Sequence, residues 1–203
     1  MTYYSQIGQD KYYIENIVKY KKNGRFLDIG ANDGITESNT YCLEKEYNWS
    51  GICVEGSEEL AKICSRNRPQ SVVSCSLVWS GEEEVNFVEP KNGKNLLSRI
   101  DNIVWNKEYF VNDFIDPITS KRTTTTIKNI LGDGYHYFDY FSLDVEGAEL
   151  EALKGIDWNN TKFGFITIEY GNREHYKNLV ISFLQKVSYR IHRINKWDIE
   201  FCP

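Results

Sequence analysis

Arg25-Phe26-Leu27-Asp28-Ile29-Gly30-Ala31-Asn32-Asp33-Gly34 is a short apolar run that stops at a glycine, the pattern of a buried strand entering a turn. Gly51-Ile52-Cys53-Val54-Glu55 has the same character. Between them, residues 36–46 are rich in helix formers and offer Tyr41, Leu43 and Tyr47 for a buried face, which predicts a crossover helix. Strand, helix and strand make a β-α-β unit, whose two strands run parallel.

Downstream of this unit, Ser57-Glu58-Glu59-Leu60 reads as a helix start, with a hydroxyl cap and acids where the helix dipole favours them. Residues 71–78 predict a third strand, and Ser80-Gly81 before Val85-Asn86-Phe87-Val88 predicts a hairpin. Strand patterns return at residues 137–143 and 163–168, and Thr123 to Thr126 suit an extended segment. Residues 149–154 and 175–186 read as helices, the first stopped by Gly155. Residues 189–202 supply two further strands as a C-terminal antiparallel hairpin. The fold class is therefore α/β, a mostly parallel sheet with helices on both faces. Residues 89–122 lose periodicity, and Trp105, Tyr109, Phe110 and Phe114 there form either an aromatic lid over a ligand or a packed-down loop.

The chain has 203 residues, 24 Lys+Arg against 29 Asp+Glu, and a formal charge of −5. That length fits one domain, residues 1–203, either alone or as part of a larger polypeptide. With 41% hydrophobic and 26% charged residues, it reads as globular rather than disordered. No apolar run approaches the roughly 20 residues that a membrane span requires. The N-terminus lacks a basic stretch and apolar core, so the cytoplasm is the expected compartment. Cys42, Cys53, Cys64, Cys75 and Cys202 are odd in number and contain no Cys-x-x-Cys pair, which favours free thiols. An acidic chain without a basic stripe argues against a nucleic-acid partner. Oligomeric state is not legible.

Parallel sheets bind ligands beyond the carboxyl ends of their strands. Those ends present Asp28 with Gly30, Asn32 and Gly34; Glu55-Gly56; Ser74-Cys75-Ser76; Asp144-Val145-Glu146; and Glu169-Tyr170. Four of the five carry an acid, and converging acids repel unless a cation or a hydroxyl-rich ligand lies between them. A dinucleotide fingerprint, G-x-G-x-x-G, would place amides against a pyrophosphate. Here Asn32 replaces the middle glycine and Asp28 precedes the turn, which suits a cationic ligand better. Glu55 follows Gly30 at nearly the offset of a ribose-binding acid. A nucleoside with a sulfonium tail, S-adenosylmethionine, has that shape.

Residues Phe26 to Gly34 resemble the first motif of the FkbM-type methyltransferases. Ser142-Leu143-Asp144-Val145-Glu146-Gly147-Ala148-Glu149 with Leu153-Lys154-Gly155 is similar to that family's second hallmark, and Ser5-Gln6-Ile7-Gly8-Gln9-Asp10 to its N-terminal signature. The resemblance implies a class I methyltransferase fold, S-adenosylmethionine as donor, and a hydroxyl on a sugar, glycan or other small metabolite as acceptor. It implies that Gly30 and Gly34 let the backbone pass close to the cofactor and that Glu55 binds the ribose. It further implies that Ser76 and Leu77 flank the adenine, that Asp144 faces the methionine end, and that Gln6 and Asp10 close the pocket. One departure is Gly56, where many relatives carry proline.

A neutral hydroxyl is a poor nucleophile, so something must take its proton. Asp144 and Glu169 are the candidates, either as general base or as ligands of a divalent cation, Mg²⁺ or Mn²⁺. His175 is the alternative base. Two other classes stay open: a nicotinamide-dependent oxidoreductase, and a catalytically silent module that binds a glycan or a protein.

Overall fold

The structure, a computed structural model, describes residues 2–90, 98–101 and 117–203. The chain opens with the helical turn α1 (Gln9–Tyr12), which widens into a π-type turn over Tyr13–Ile17. There follow β1 (Arg25–Ile29), α2 (Tyr41–Tyr47), β2 (Ser50–Glu55), α3 (Glu58–Asn67), β3 (Val72–Cys75), β4 (Leu77–Val78), β5 (Glu84–Glu89), β6 (Arg99–Ile100) and β7 (Ile118–Thr125). The second half holds α4 (Ile127–Leu131), β8 (His136–Phe138), β9 (Tyr140–Leu143), α5 (Glu149–Lys154), β10 (Thr161–Phe163), β11 (Ile166–Glu169), α6 (Glu174–Lys186), β12 (Arg190–Ile194) and β13 (Asp198–Cys202). No helix among the described residues is long and apolar enough to cross a membrane, and all five cysteines are free thiols.

The main sheet has the order β12-β13-β11-β9-β1-β2-β3. Its strands from β3 to β11 are mutually parallel, and β13 runs antiparallel to both β11 and β12. The period-2 alternation of strand side chains then divides the core. Leu27, Ile29, Phe141, Leu143 and Ile168 pack with Leu153, Val180 and Leu184 of α5 and α6. Phe26, Cys53 and Tyr140 pack on the other face with Tyr13, Leu43, Trp49 and Cys64. Asp28 lies two residues after Phe26 and so shares that second face. Register aligns it with Ser142, Thr167 and Glu200 in one row across four strands.

Several predicted boundaries are corrected. The crossover helix is only seven residues long. Before it, Asp33 accepts hydrogen bonds from the Ile35 and Thr36 amides at 2.8 and 2.7 Å and from the Thr36 hydroxyl at 2.7 Å, and this local pairing displaces helical pairing. The predicted strand over 71–78 divides, β3 joining the main sheet and β4 a second sheet of order β4-β7-β5-β6. The predicted hairpin at Ser80-Gly81 therefore does not form. β7 lies between its two arms, and Thr124 ties the turn by donating to the Gly81 carbonyl at 2.8 Å and accepting from the Glu83 amide at 3.1 Å. The strands predicted over 137–143 and 163–168 each break, at Asp139 and Gly164, and their leading parts β8 and β10 pair as a separate parallel ribbon. Trp105, Tyr109, Phe110 and Phe114 lie outside the described residues.

Candidate functional site

The carboxyl ends of β1, β2, β9, β11 and the start of β13 surround a cavity of about 1220 Å³, ample for a nucleoside ligand together with a second small molecule. Gly30 sets its floor. It has φ +88, and an added Cβ would lie 1.6 Å from the Asp144 carbonyl oxygen, so the close passage of β1 and β9 admits only glycine. The Gly30 and Ala31 amides both donate to the Val54 carbonyl at 2.8 and 3.0 Å, turning the chain back over β2. Asn32, at φ 51, then directs its amide onto Glu55 Oε2 at 2.8 Å. The Ser57 amide donates to Glu55 Oε1, also at 2.8 Å. Burial raises the Glu55 pKa while these backbone donors hold it down. With Gly56 as a third backbone donor, the carboxylate still keeps acceptor capacity for a ligand hydroxyl.

Beyond Glu55 the wall becomes apolar, with Gly56, Leu77, Phe87 and Ile100 beside Ser76. An added Cβ on Gly56 would meet Leu77 Cδ2 at 2.5 Å and Phe87 Cζ at 3.1 Å. Glycine at the position where the family pattern has proline thus accompanies the inward packing of Leu77.

Asp28 lies beneath this floor and is engaged on all sides. Its Oδ2 accepts from the Thr40 hydroxyl at 2.5 Å and lies 3.9 Å from the Arg68 guanidinium. Arg68, fully buried, also donates to Glu44 Oε2 at 2.8 Å, the Gly34 carbonyl at 3.1 Å and Thr40 Oγ1 at 2.9 Å. Burial raises the Asp28 pKa, and Arg68, Thr40 and Ser142 oppose it.

At the opposite side stand Asp144, just past β9, and Glu169, at the end of β11, hydrogen-bonded to each other. More than a third of the Asp144 surface is exposed. That surface opens onto the cavity, whose walls limit its access to bulk water. Desolvation there, reinforced by Glu149, Asp198 and Asp28, pushes Asp144 up to about 7. Burial and the touching Asp144 raise Glu169 well above the usual carboxylate range, and Glu169 Oε2 is enclosed without a hydrogen-bond partner. Two contacting carboxyls share a proton more readily than they ionise together. Glu149 completes a trio whose oxygens lie within 4.8 Å of one another. Its Oε1 accepts from the Val145 and Gly147 amides at 3.2 and 2.9 Å, and its Oε2 from the Tyr176 hydroxyl at 2.8 Å, so it clamps the loop after β9.

All sequence-predicted site residues except Asp10 and Gly34 line the cavity; Gln6 and His175 are exposed on its rim. Asp10 is fully buried elsewhere, accepting from the Tyr4 amide at 2.6 Å and from the Ser5 amide and hydroxyl at 3.3 and 2.5 Å. It folds the N-terminal segment rather than touching a ligand. Gly34 has φ +84 and sits against Arg68 Cγ and Cys64 Sγ, 2.7 and 2.9 Å from an added Cβ, so its glycine serves packing on α3. Gln9, Phe87, Arg173, Trp197 and Asp198 line the cavity as well, and sequence reading missed them. Asp198 had a signal: acids at 198 and 200 alternate along a strand that is otherwise apolar.

The strand order with its reversed β13, and the cavity above β1 and β9, define a class I methyltransferase fold. An FkbM methyltransferase from Methylobacillus flagellatus KT superposes with TM-score 0.59 at 14% identity, covering 98% of this chain and 48% of that one. A TehB-like SAM-dependent methyltransferase from Corynebacterium glutamicum gives 0.50 at 10% identity, covering 97% and 88%. A putative RNA methyltransferase from Pyrococcus horikoshii gives 0.51 at 8%, covering 96% and 82%. No curated protein matches by sequence. The model of the methyltransferase FkbM domain matches residues 28–191, and the chain belongs to that family. It spans about half the length of the Methylobacillus chain.

Proposed function

We propose that the chain transfers a methyl group from S-adenosylmethionine to a hydroxyl of a sugar, glycan or other small metabolite. The carrying observation is the order of groups along one cavity: apolar slot, backbone-held Glu55, glycine floor, then the Asp144–Glu169 pair. The residues present fit such a donor. Leu77, Phe87 and Ile100 suit an adenine, the remaining acceptor capacity of Glu55 suits a ribose hydroxyl, and the space over Gly30 leads toward the acids. When bound, the donor supplies an electrophilic methyl on a sulfonium. The protein holds the acceptor oxygen in line and receives its proton on the Asp144–Glu169 pair as the oxygen gains its new bond.

His175 on the rim is the reserve base. A divalent cation is a second role for the pair, favoured by the 4.8 Å trio of carboxylate oxygens. Glu149 is already engaged by two amides and a hydroxyl, so Asp144 and Glu169 would be the principal ligands and water would complete the shell of Mg²⁺ or Mn²⁺. A nicotinamide reading loses support with the family assignment, and turnover separates the enzyme from a silent module.

Titration calorimetry with S-adenosylhomocysteine, followed by radiolabelled methyl transfer to hydroxyl acceptors with and without chelator, tests the proposal. Binding of S-adenosylhomocysteine, its loss in Glu55→Ala, and transfer that survives chelation are the outcomes expected of the metal-free scheme. Absence of binding overturns the reading. Chelator-sensitive transfer restored by Mg²⁺ assigns the pair to a cation.

A further inference from the structure

Along the main sheet, the donor reading occupies the ends of β2, β1 and β9, which leaves β11 and β13 for the acceptor. On those strands Glu169 and Asp198 are direct register partners, about 4.8 Å apart in strand spacing. Asp198 lines the cavity yet is only 4% exposed. Its Oδ2 accepts from Gln9 Nε2 at 2.7 Å, a buried contact between residues 189 positions apart. Gln9 Oε1 is committed to the Ile7 amide at 3.0 Å, so the side-chain amide presents its nitrogen to Asp198.

The support behind Gln9 is firm. Asp10 gathers Tyr4 and Ser5, as described, and Ser5 bridges to Glu37 on the cavity wall. The next acid on β13, Glu200, is taken by Arg193 in a bidentate ion pair, and the Arg193 guanidinium stacks 3.4 Å over the Tyr12 ring. Asp198 is thus the β13 acid that faces the cavity, and the N-terminal segment holds it there.

We propose, on the basis of the methyl-transfer reading, that the acceptor is a vicinal diol: one hydroxyl surrenders its proton to Asp144–Glu169 while its neighbour donates a hydrogen bond to Asp198, which Gln9 positions. A carboxylate offers about four acceptor positions, so the contacts from Gln9 and Asn195 leave room for that hydroxyl. Asp198 confers specificity by direct contact. Gln9 acts through it as a positioning residue.

The test uses the full chain with radiolabelled S-adenosylmethionine and three probes: myo-inositol, trans-cyclohexane-1,2-diol and, as the single-hydroxyl control, cyclohexanol. Variants are Asp198→Asn, Gln9→Leu and the double change. The expected result is transfer to a diol but not to cyclohexanol. Each single variant should raise the acceptor KM about 10- to 100-fold, leave the S-adenosylhomocysteine Kd within about twofold, and add nothing to the other in combination. Should Gln9→Leu fail to fold, Gln9→Asn, too short to reach Asp198, replaces it. Three outcomes overturn the inference: additive effects of the two changes, equal transfer to cyclohexanol, or no transfer to either diol while S-adenosylhomocysteine still binds. Loss of that binding in the unmodified chain instead removes the methyltransferase reading itself.

Discussion

Asp144 and Glu169 touch at the ends of adjacent parallel strands, and the sign of their titration separates two measurements. A base works only when deprotonated, so kcat is expected to climb with pH through about 7, where desolvation and neighbouring acids place Asp144. Asp144→Asn or Glu169→Gln should flatten that limb and lower kcat about 10²- to 10⁴-fold; an unchanged profile removes the pair from the chemistry. Stability runs the other way. Between about pH 4 and pH 7 the native chain keeps a proton that the unfolded chain has released, so stability falls as pH rises through that window. Asp144→Asn should therefore melt above the unmodified chain at pH 8, the gap closing toward pH 4, as calorimetry at both pH values would show. Arg68 has the opposite character, a buried cation gripping Glu44 and Asp28. Arg68→Met leaves two buried acids uncompensated and should cost about 3–5 kcal/mol in urea unfolding.

Elements here end where side chains take over backbone pairing. Asp139 shows the mechanism: its carboxylate accepts from the Arg25 amide at 3.0 Å and from Lys21 at 2.5 Å, and its carbonyl accepts from the Tyr13 hydroxyl at 2.8 Å. These contacts pin the start of β1 and separate β8 from β9. Asp139→Ala should lower stability by about 1.5–3 kcal/mol, with hydrogen exchange accelerating first at the Arg25 amide; uniform acceleration across the main sheet would place the effect elsewhere. The same mechanism explains the boundaries the sequence did not show. The strand pattern over 137–143 is apolar enough to read as one unit, and the break appears only when Asp139 meets Arg25, 114 positions away. The Ser80-Gly81 turn looked like a hairpin because its natural closing partner, Thr124, lies 43 positions downstream of Gly81.

For the whole molecule, one cavity collects groups from the N-terminal turn to the last strand, so a ligand bound there crosslinks most of the fold. Saturating S-adenosylhomocysteine at about 100 times its Kd should add roughly 2.7 kcal/mol, or about 5–10 °C in melting temperature, whereas NADH should add nothing. The reverse pattern in a thermal-shift assay would revive the nicotinamide reading. The information legible in the chain's linear order was local: alternating strands and helices, the reversed C-terminal hairpin, and the acids at strand ends from Asp28 to Glu169. Such features are written in runs of neighbouring residues, where periodicity and turn chemistry act. Which of those acids share a cavity was decided only by tertiary structure, as was the use of Asp28 to balance Arg68, of Asp10 to tie the N-terminus, and of Gln9 to hold Asp198. Each depends on a contact whose partners carry no mark of each other until the sheet brings them within hydrogen-bond reach.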